Sequence, residues 1–154
     1  ESPQNATINA RITGFEEKIR NKGFEVVRRI DAGSTETGVQ AEMAAVLAEE
    51  PQIDAVMCGN DTMAVQVLQA LRDAGRSDVL VYSVGGSPEV KSAMADPADP
   101  MAGIGAQSPI NMGKIAVRTA EALLNGENYE KEISVETFFI NRDNLEMYGT
   151  DGWQ

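Results

Sequence analysis

The sequence comprises 154 residues, of which 42% are hydrophobic and 24% charged, a balance that supports one ordinary domain with a hydrophobic core. The 24 acidic and 13 basic residues give a formal net charge of −11, and this acidic surface would repel nucleic acid and anionic lipid. Histidine is absent, which excludes histidine zinc sites, Ser-His-Asp triads and imidazole general bases.

Hydrophobic periodicity predicts an alternation of helices and strands along the chain. The predicted elements are, in chain order, a helix over 7–22, a strand over 24–30, a helix from 39 that Pro51 ends, a strand over 53–58, a helix over 61–74, a strand over 79–84, a helix over 88–94, a strand over 101–106, a helix over 109–124 and a strand over 133–140. This order predicts an α/β fold with a doubly wound, mostly parallel sheet between two helical layers.

Several motif classes are missing from the sequence. There is no G-x-x-x-x-G-K-S/T phosphate loop, and no apolar stretch approaches the ~20 residues of a membrane span. The single cysteine, Cys58, lies in an apolar run and is predicted to be a small core residue. We therefore expect no catalytic constellation, no metal site and no cofactor.

Two polar side chains, Asn60 and Asp61, follow the predicted strand at 53–58 and open the next helix. Such side chains accept hydrogen bonds from the free amides of a first helical turn, which makes them candidate helix caps. Open α/β sheets also bind ligands outside the carboxyl ends of their strands, which makes the same residues candidate ligand groups. The residues alone leave both interpretations open.

Two features predict that the chain is not self-contained. The sequence opens directly on a helix, whereas a doubly wound sheet normally starts with a central strand, so we expect a first strand upstream. The helix that follows Gln107 is long and apolar on one side, which predicts that it packs on a different body.

Five segments, in this order, resemble the C-terminal half of periplasmic sugar-binding proteins, especially the ribose-binding proteins that feed ABC transporters. They cover nearly the whole chain and read TINARITGFEEKIRNKG, EPQIDAVMCGNDTMAVQVLQALRDAG, VLVYSVGGSPEVKSAM, GIGAQSPINMGKIAVRTAEALLNGE and FFINRDNLEMYGTDGW. The resemblance implies a receptor with two hinged αβα lobes that closes on a sugar or sugar-like ligand and delivers it to a membrane ABC permease.

The resemblance also implies a division of this chain between the two lobes. Residues 1–106 would form most of the C-terminal lobe without its first strand, 108–134 would belong to the N-terminal lobe, and 135–154 would return as a hinge strand and tail. Hinges are expected near 106–108 and 135–137. The chain would then be a fragment whose partner is the missing N-terminal half, and the protein would be periplasmic or extracytoplasmic, with its signal peptide outside this chain.

Three ligand-binding residues carry over from the family pattern. They are Arg11 before the G-F of the first helix, Asn60 after the second predicted strand and Gln107 at the hinge crossover. An arginine can donate hydrogen bonds to two vicinal hydroxyls, and an amide side chain has both donors and an acceptor. With Asn60 facing the cleft, Asp61 is expected to cap the helix.

The chain departs from the family pattern at two further candidate ligand positions. Gly85 stands where ribose receptors have an aspartate, so a charge-assisted hydrogen bond to a sugar hydroxyl is absent and the ligand is not expected to be simply ribose. Ser34 lies near the place of a sugar-stacking aromatic residue. Both changes suit a bulkier, differently oriented or partly anionic ligand paired with Arg11.

Two other function classes remain as alternatives. The effector-sensing domain of a lac-repressor-like transcription regulator shares the fold and the Arg11 and Asn60 positions, but the acidic surface gives no sign of a nucleic-acid partner. A small α/β enzyme or receiver-like domain would use Asp61, which has no histidine and no cluster of acids beside it. The binding-protein interpretation predicts that the protein is not an enzyme.

Overall fold

A computed structural model describes residues 4–33 and 37–154. Its elements, in chain order, are α1 (Ala6–Ile19), α2 (Val39–Glu49), β1 (Ala55–Met57), α3 (Asp61–Asp73), β2 (Leu80–Gly85), α4 (Pro88–Ala95), β3 (Met101–Ala106), α5 (Pro109–Leu124), β4 (Phe138–Ile140) and a 3₁₀ turn at Leu145–Met147. Within the described ranges, no helix is long and apolar enough to span a bilayer.

The four strands form one sheet in the order β1-β2-β3-β4. β1, β2 and β3 are parallel, and β4 runs antiparallel to β3, with Ile104 opposite Ile140. The predicted α/β class with a mostly parallel sheet is therefore confirmed. Since three strands run in the same direction, the residues that follow β1, β2 and β3 meet at one edge of the sheet.

Local sequence explains where three of the helices begin. The Asn5 side chain accepts hydrogen bonds from the amides of Thr7 and Ile8 at the start of α1, each at 3.1 Å. Pro88 and Pro109 stand in the first turns of α4 and α5, where a missing amide donor costs nothing.

The core lies between the sheet and the helices α2, α3 and α4. Its most deeply buried side chains include Leu71 of α3, Val81 of β2, Met94 of α4 and Ile104 of β3, all of which are 0% exposed. Helix α3 packs on β2 and also contacts α2 and α4. This core fixes the strand ends that carry the candidate site.

The predicted strand over 24–30 is wrong. No element is assigned there, and Phe24 and Val27 are 71% and 48% exposed. A strand forms only where a neighbouring strand pairs with its amides and carbonyls, and in the described chain β1 pairs with β2 alone. The predicted strand over 133–140 is likewise reduced to Phe138–Ile140, which is the part that pairs with β3.

Helix α5 differs from the other helices because none of its residues is buried in the described chain. Its apolar residues, among them Ile110, Val117 and Leu124, are 50%, 69% and 86% exposed. The segment 108–134 was predicted to belong to another lobe, and that assignment stays a prediction.

Candidate functional site

Arg11, on α1, connects the ends of the three parallel strands. Its Nη1 donates to the carbonyl oxygens of Gly59, after β1, at 2.9 Å and of Val84, near the end of β2, at 3.5 Å. Its Nη2 donates to Oε1 of Gln107, directly after β3, at 3.0 Å. The half-buried Arg11 therefore binds residues at the carboxyl ends of all three parallel strands, and these groups form one polar site.

Gln107 is held in place from its own backbone as well. Its amide donates to the carbonyl of Gly85 at 2.8 Å, which continues the pairing of β2 and β3 by one residue. The side chain is half-buried, and its Oε1 faces Arg11. The structure therefore brings two of the predicted ligand residues, Arg11 and Gln107, into direct contact; that they bind a ligand stays a prediction.

The helix cap predicted for Asp61 is supplied by Asn60 instead, and a ligand role for Asn60 stays a prediction. Asn60 is the N-cap of α3, and its Oδ1 accepts a hydrogen bond from the Met63 amide at 2.9 Å. Asn60 lies half-buried beside Gly59, whose carbonyl Arg11 binds, so it borders the site while it caps the helix. The expectation that Asp61 caps the helix was wrong because non-local donors hold its carboxylate.

Asp61 is buried, with 8% of its surface exposed. Its Oδ1 accepts from the Ser83 hydroxyl at 2.7 Å, and its Oδ2 accepts from the amides of Gly86 at 2.8 Å and Ser87 at 2.7 Å. These three donors compensate the loss of water around the carboxylate. Asp61 therefore fixes the loop after β2 to the start of α3.

Gly85 is buried, and it offers the site no side chain. A Cβ atom at this position would lie 2.7 Å from Cγ of Asp61, closer than side-chain atoms approach each other. The space that an acidic side chain would need is thus filled by the carboxylate of Asp61. The other candidate at a departure from the family pattern, Ser34, lies outside the described residues.

Cys58 precedes this site at the end of β1 and is 4% exposed, which confirms its predicted core position. Burial, with a smaller contribution from the negative charge of Asp61, raises the pKa of the Cys58 thiol to about 12. The thiol is therefore protonated and unreactive at neutral pH. Among residues 4–33 and 37–154, no group of three or more His, Cys, Asp or Glu side chains could hold a metal ion.

An open hollow of about 490 Å³ adjoins Gln107. Pro109 and Ile110 of α5 and Trp153 of the C-terminal tail complete its lining, so the polar site has an apolar neighbour. Sequence reasoning missed Trp153 and the carbonyls of Gly59 and Val84. Backbone acceptors carry no residue-type signal, and only the fold reveals which carbonyls converge.

Sequence reasoning also missed a buried cation beside the C-terminal tail. Lys91 of α4 is 0% exposed, and its Nζ donates to the Gly152 carbonyl and, at 3.1 Å, to Oε1 of Gln154. Burial lowers the pKa of Lys91, and Asp151 partly opposes that shift. The Ser108 hydroxyl donates to the Gln154 carbonyl at 2.6 Å, so the tail connects α4 to the start of α5.

Comparison with protein families matches residues 1–128 to the family described as periplasmic binding protein domain. Among curated proteins, the chain is similar to the ribose import binding protein RbsB of Escherichia coli, with 32% identity over 123 residues. That match covers 80% of this chain and 41% of the relative. The chain thus spans about two fifths of the length of this relative.

Two solved structures are also similar to this chain. One is the 5-methylthioribose transporter solute binding protein from Thermotoga lettingae, with a TM-score of 0.78 and 31% identity, covering 87% of this chain and 44% of that one. The other is an ABC transporter solute binding protein from Agrobacterium vitis with bound allitol, with a TM-score of 0.67 and 33% identity, covering 71% and 39%.

Proposed function

Because this chain belongs to the periplasmic binding protein family, we propose that it is part of an extracytoplasmic receptor that binds a sugar or sugar-like ligand between two hinged lobes. The receptor would deliver this ligand to an ABC permease and carry out no chemistry on it. The relatives described above are import or transporter binding proteins, and no observation favours the alternative of a transcription regulator.

The observation that carries this proposal is the contact of Arg11 with Gln107 at the carboxyl ends of the parallel strands. Ligands of open α/β sheets bind outside these strand ends. Arg11 makes three hydrogen bonds in the described chain out of the five donors that an arginine has, and Gln107 uses its oxygen for Arg11. N–H groups of both side chains are therefore available for hydroxyl oxygens.

The exposed apolar face of α5 supports the proposed second lobe. Ile110, Val117 and Leu124 lie on the outside of this structure, although a row of apolar residues on one helix is typical of a packed face. We assign 1–106 to the C-terminal lobe, 108–134 to the N-terminal lobe and 135–154 to the returning hinge strand and tail. The N-terminal half of the receptor would then cover α5.

Ligand binding would be coupled to hinge closure. A ligand that contacts both lobes binds the closed state better than the open one and shifts the population toward it. The crossovers near 106–108 and 135–137 are the proposed hinges, and Gln107 lies in the first of them. The closed receptor would present a joined surface to the permease.

Calorimetric titration of the full-length protein with a panel of aldoses, alditols and sugar acids tests the proposed function. We expect at least one member to bind, and Gln107→Ala to weaken that binding by about tenfold or more, since it removes hydrogen bonds to the ligand and to Arg11. Gln52→Ala, at an exposed position before the amino end of β1, away from the carboxyl ends of the strands, is the matched control. Failure of the whole panel to bind would contradict a sugar receptor.

A further inference from the structure

Most of the arginines with hydrogen-bonded side chains in the described chain bind carboxylates, whereas Arg11 binds neutral acceptors. Four arginines form ion pairs with carboxylates, namely Arg28, Arg29, Arg72 and Arg76. The three acceptors of Arg11 are all neutral, two backbone carbonyls and one side-chain amide. In the described chain no carboxylate oxygen lies within 4.0 Å of its guanidinium nitrogens, so a half-buried positive charge has no anionic partner.

The carboxylate of Asp61, beside Gly85, is already bound by other groups of the chain. Both oxygens of Asp61 are bound, by the Ser83 hydroxyl and by the amides of Gly86 and Ser87. Gly85 cannot be replaced by an acid without displacing Asp61, because a Cβ atom there would lie 2.7 Å from its Cγ. This packing keeps an acidic side chain out of the position that borders Val84 and Arg11.

The groups that remain at the strand ends are mainly donors. Arg11 retains N–H groups that its three neutral acceptors do not use, and the Gln107 amide nitrogen has no acceptor in the described part of the chain. A positive charge with unused N–H groups beside the Gln107 amide favours a ligand with a negative charge, and the planar guanidinium matches a carboxylate through two parallel hydrogen bonds. Within the described part of the chain, a neutral sugar would leave the charge of Arg11 without an anionic partner.

Building on the proposed function, we propose that the ligand of this receptor is a sugar acid, a polyhydroxylated molecule whose carboxylate binds Arg11. Gln107 donates its amide N–H groups to the same carboxylate or to the neighbouring hydroxyl. The carboxylate then supplies the anion that the chain does not place beside Arg11.

The test compares sugar pairs that share a carbon skeleton. The full-length protein is titrated calorimetrically with D-ribose and D-ribonate, D-glucose and D-gluconate, and D-galactose and D-galacturonate. For at least one pair we expect the acid to bind about tenfold or more tightly than its neutral partner, as charge-assisted hydrogen bonds allow. That preference falls as salt is added, because salt screens the charge of Arg11.

Substitutions in α1 test whether Arg11 causes the preference for the acid over the neutral sugar. Arg11→Gln keeps polar donors but removes the charge, and we expect it to abolish the preference for the acid. Arg11→Lys keeps the charge and retains part of the preference, and Arg20→Gln, at the exposed C-cap of α1, leaves it unchanged. Circular dichroism confirms that each variant is folded.

The possible outcomes separate this inference from the proposed function. Neutral sugars that bind as tightly as their acids would overturn the sugar-acid inference and leave the receptor function standing. An acid preference that survives in Arg11→Gln would overturn the role of Arg11. Absence of binding by every neutral sugar and every acid would contradict the receptor function itself.

Discussion

Helices α3 and α5 are both amphipathic, but only one of them is buried by its neighbours. Helix α3 buries an apolar face that includes Met63, Leu68 and Leu71, whereas no residue of α5 is buried within the described chain. Periodicity predicted both helices, because helical spacing depends on neighbours along the sequence. Burial depends on what packs against the helix, and α5 has no such neighbour among the described elements.

The apolar faces of α3 and α5 are therefore expected to be stabilised by different parts of the protein. The face of α3 is stabilised inside the lobe, by the sheet and by α2 and α4. The face of α5 is expected to be stabilised only by the proposed N-terminal half. Substitutions on the two helices therefore test the lobe and the lobe assignment separately.

The largest effect is expected at Leu71 of α3. Leu71→Ala in the full-length protein lowers the free energy of unfolding by about 2–5 kcal/mol, because it leaves a cavity at a position that is 0% exposed. Urea denaturation measures the change. Leu80→Ala, at a 45% exposed position, is the control and costs much less; equal costs would contradict the burial of α3.

A smaller effect is expected at the start of α3. Asp61→Ala removes the acceptor of three hydrogen bonds and lowers the free energy of unfolding by about 1.5–3 kcal/mol. Asn60→Ala removes only the cap of the Met63 amide and costs about 1 kcal/mol. Denaturation of the two variants side by side ranks them, and a larger cost at Asn60 would contradict the anchoring role of Asp61.

A still smaller effect on stability is expected at Val117 of α5. Val117 is 69% exposed in this structure, but in the full-length receptor the N-terminal half is expected to cover it. Val117→Ala then costs about 1–2 kcal/mol in the full-length protein, the value of two buried methyl groups. A change within the error of the urea midpoint would show that α5 stays uncovered, against the lobe assignment of 108–134.

The smallest effect concerns Lys91 of α4, where a charge instead of an apolar face is buried. Burial holds its pKa below the ordinary 10.5, so the unfolded chain keeps this proton to a higher pH than the folded one. Between the lowered pKa and 10.5 the free energy of unfolding therefore rises with pH. Urea midpoints measured at about pH 8 and about pH 10 detect the rise, and Lys91→Met should lack it; identical pH profiles would contradict the shift.

Sequence reasoning succeeded where local pattern decides the outcome. The bounds of β3 and of α3 follow closely from apolar spacing and from the glycine, proline and polar residues beside them. It failed at 24–30, where the pattern is that of a strand but no pairing neighbour lies in the described chain. A strand forms only when two segments pair, so the sequence of one segment is not enough to predict it.

The candidate site likewise contains residues that the sequence predicted and roles that only the fold decided. Arg11 and Gln107 were predicted from a family pattern, and the structure places them in contact. The cap was assigned to Asp61 and belongs to Asn60, because either side chain can cap a helix and the outcome depended on donors at 83, 86 and 87 that hold Asp61. Lys91 carried one signal, since it lies between Val90 and Met94 on the inward face, but its acceptors are 61 and 63 residues away along the chain.

The contacts of Arg11 also bear on the order in which the protein folds. They join positions separated by 48, 73 and 96 residues, so each requires a large loop of chain to close first. Contacts of such range form slowly compared with the turns of a single helix. The polar site at the strand ends would therefore be among the last parts of the structure that a newly made chain completes, and ligand binding, as proposed, would have to wait for it.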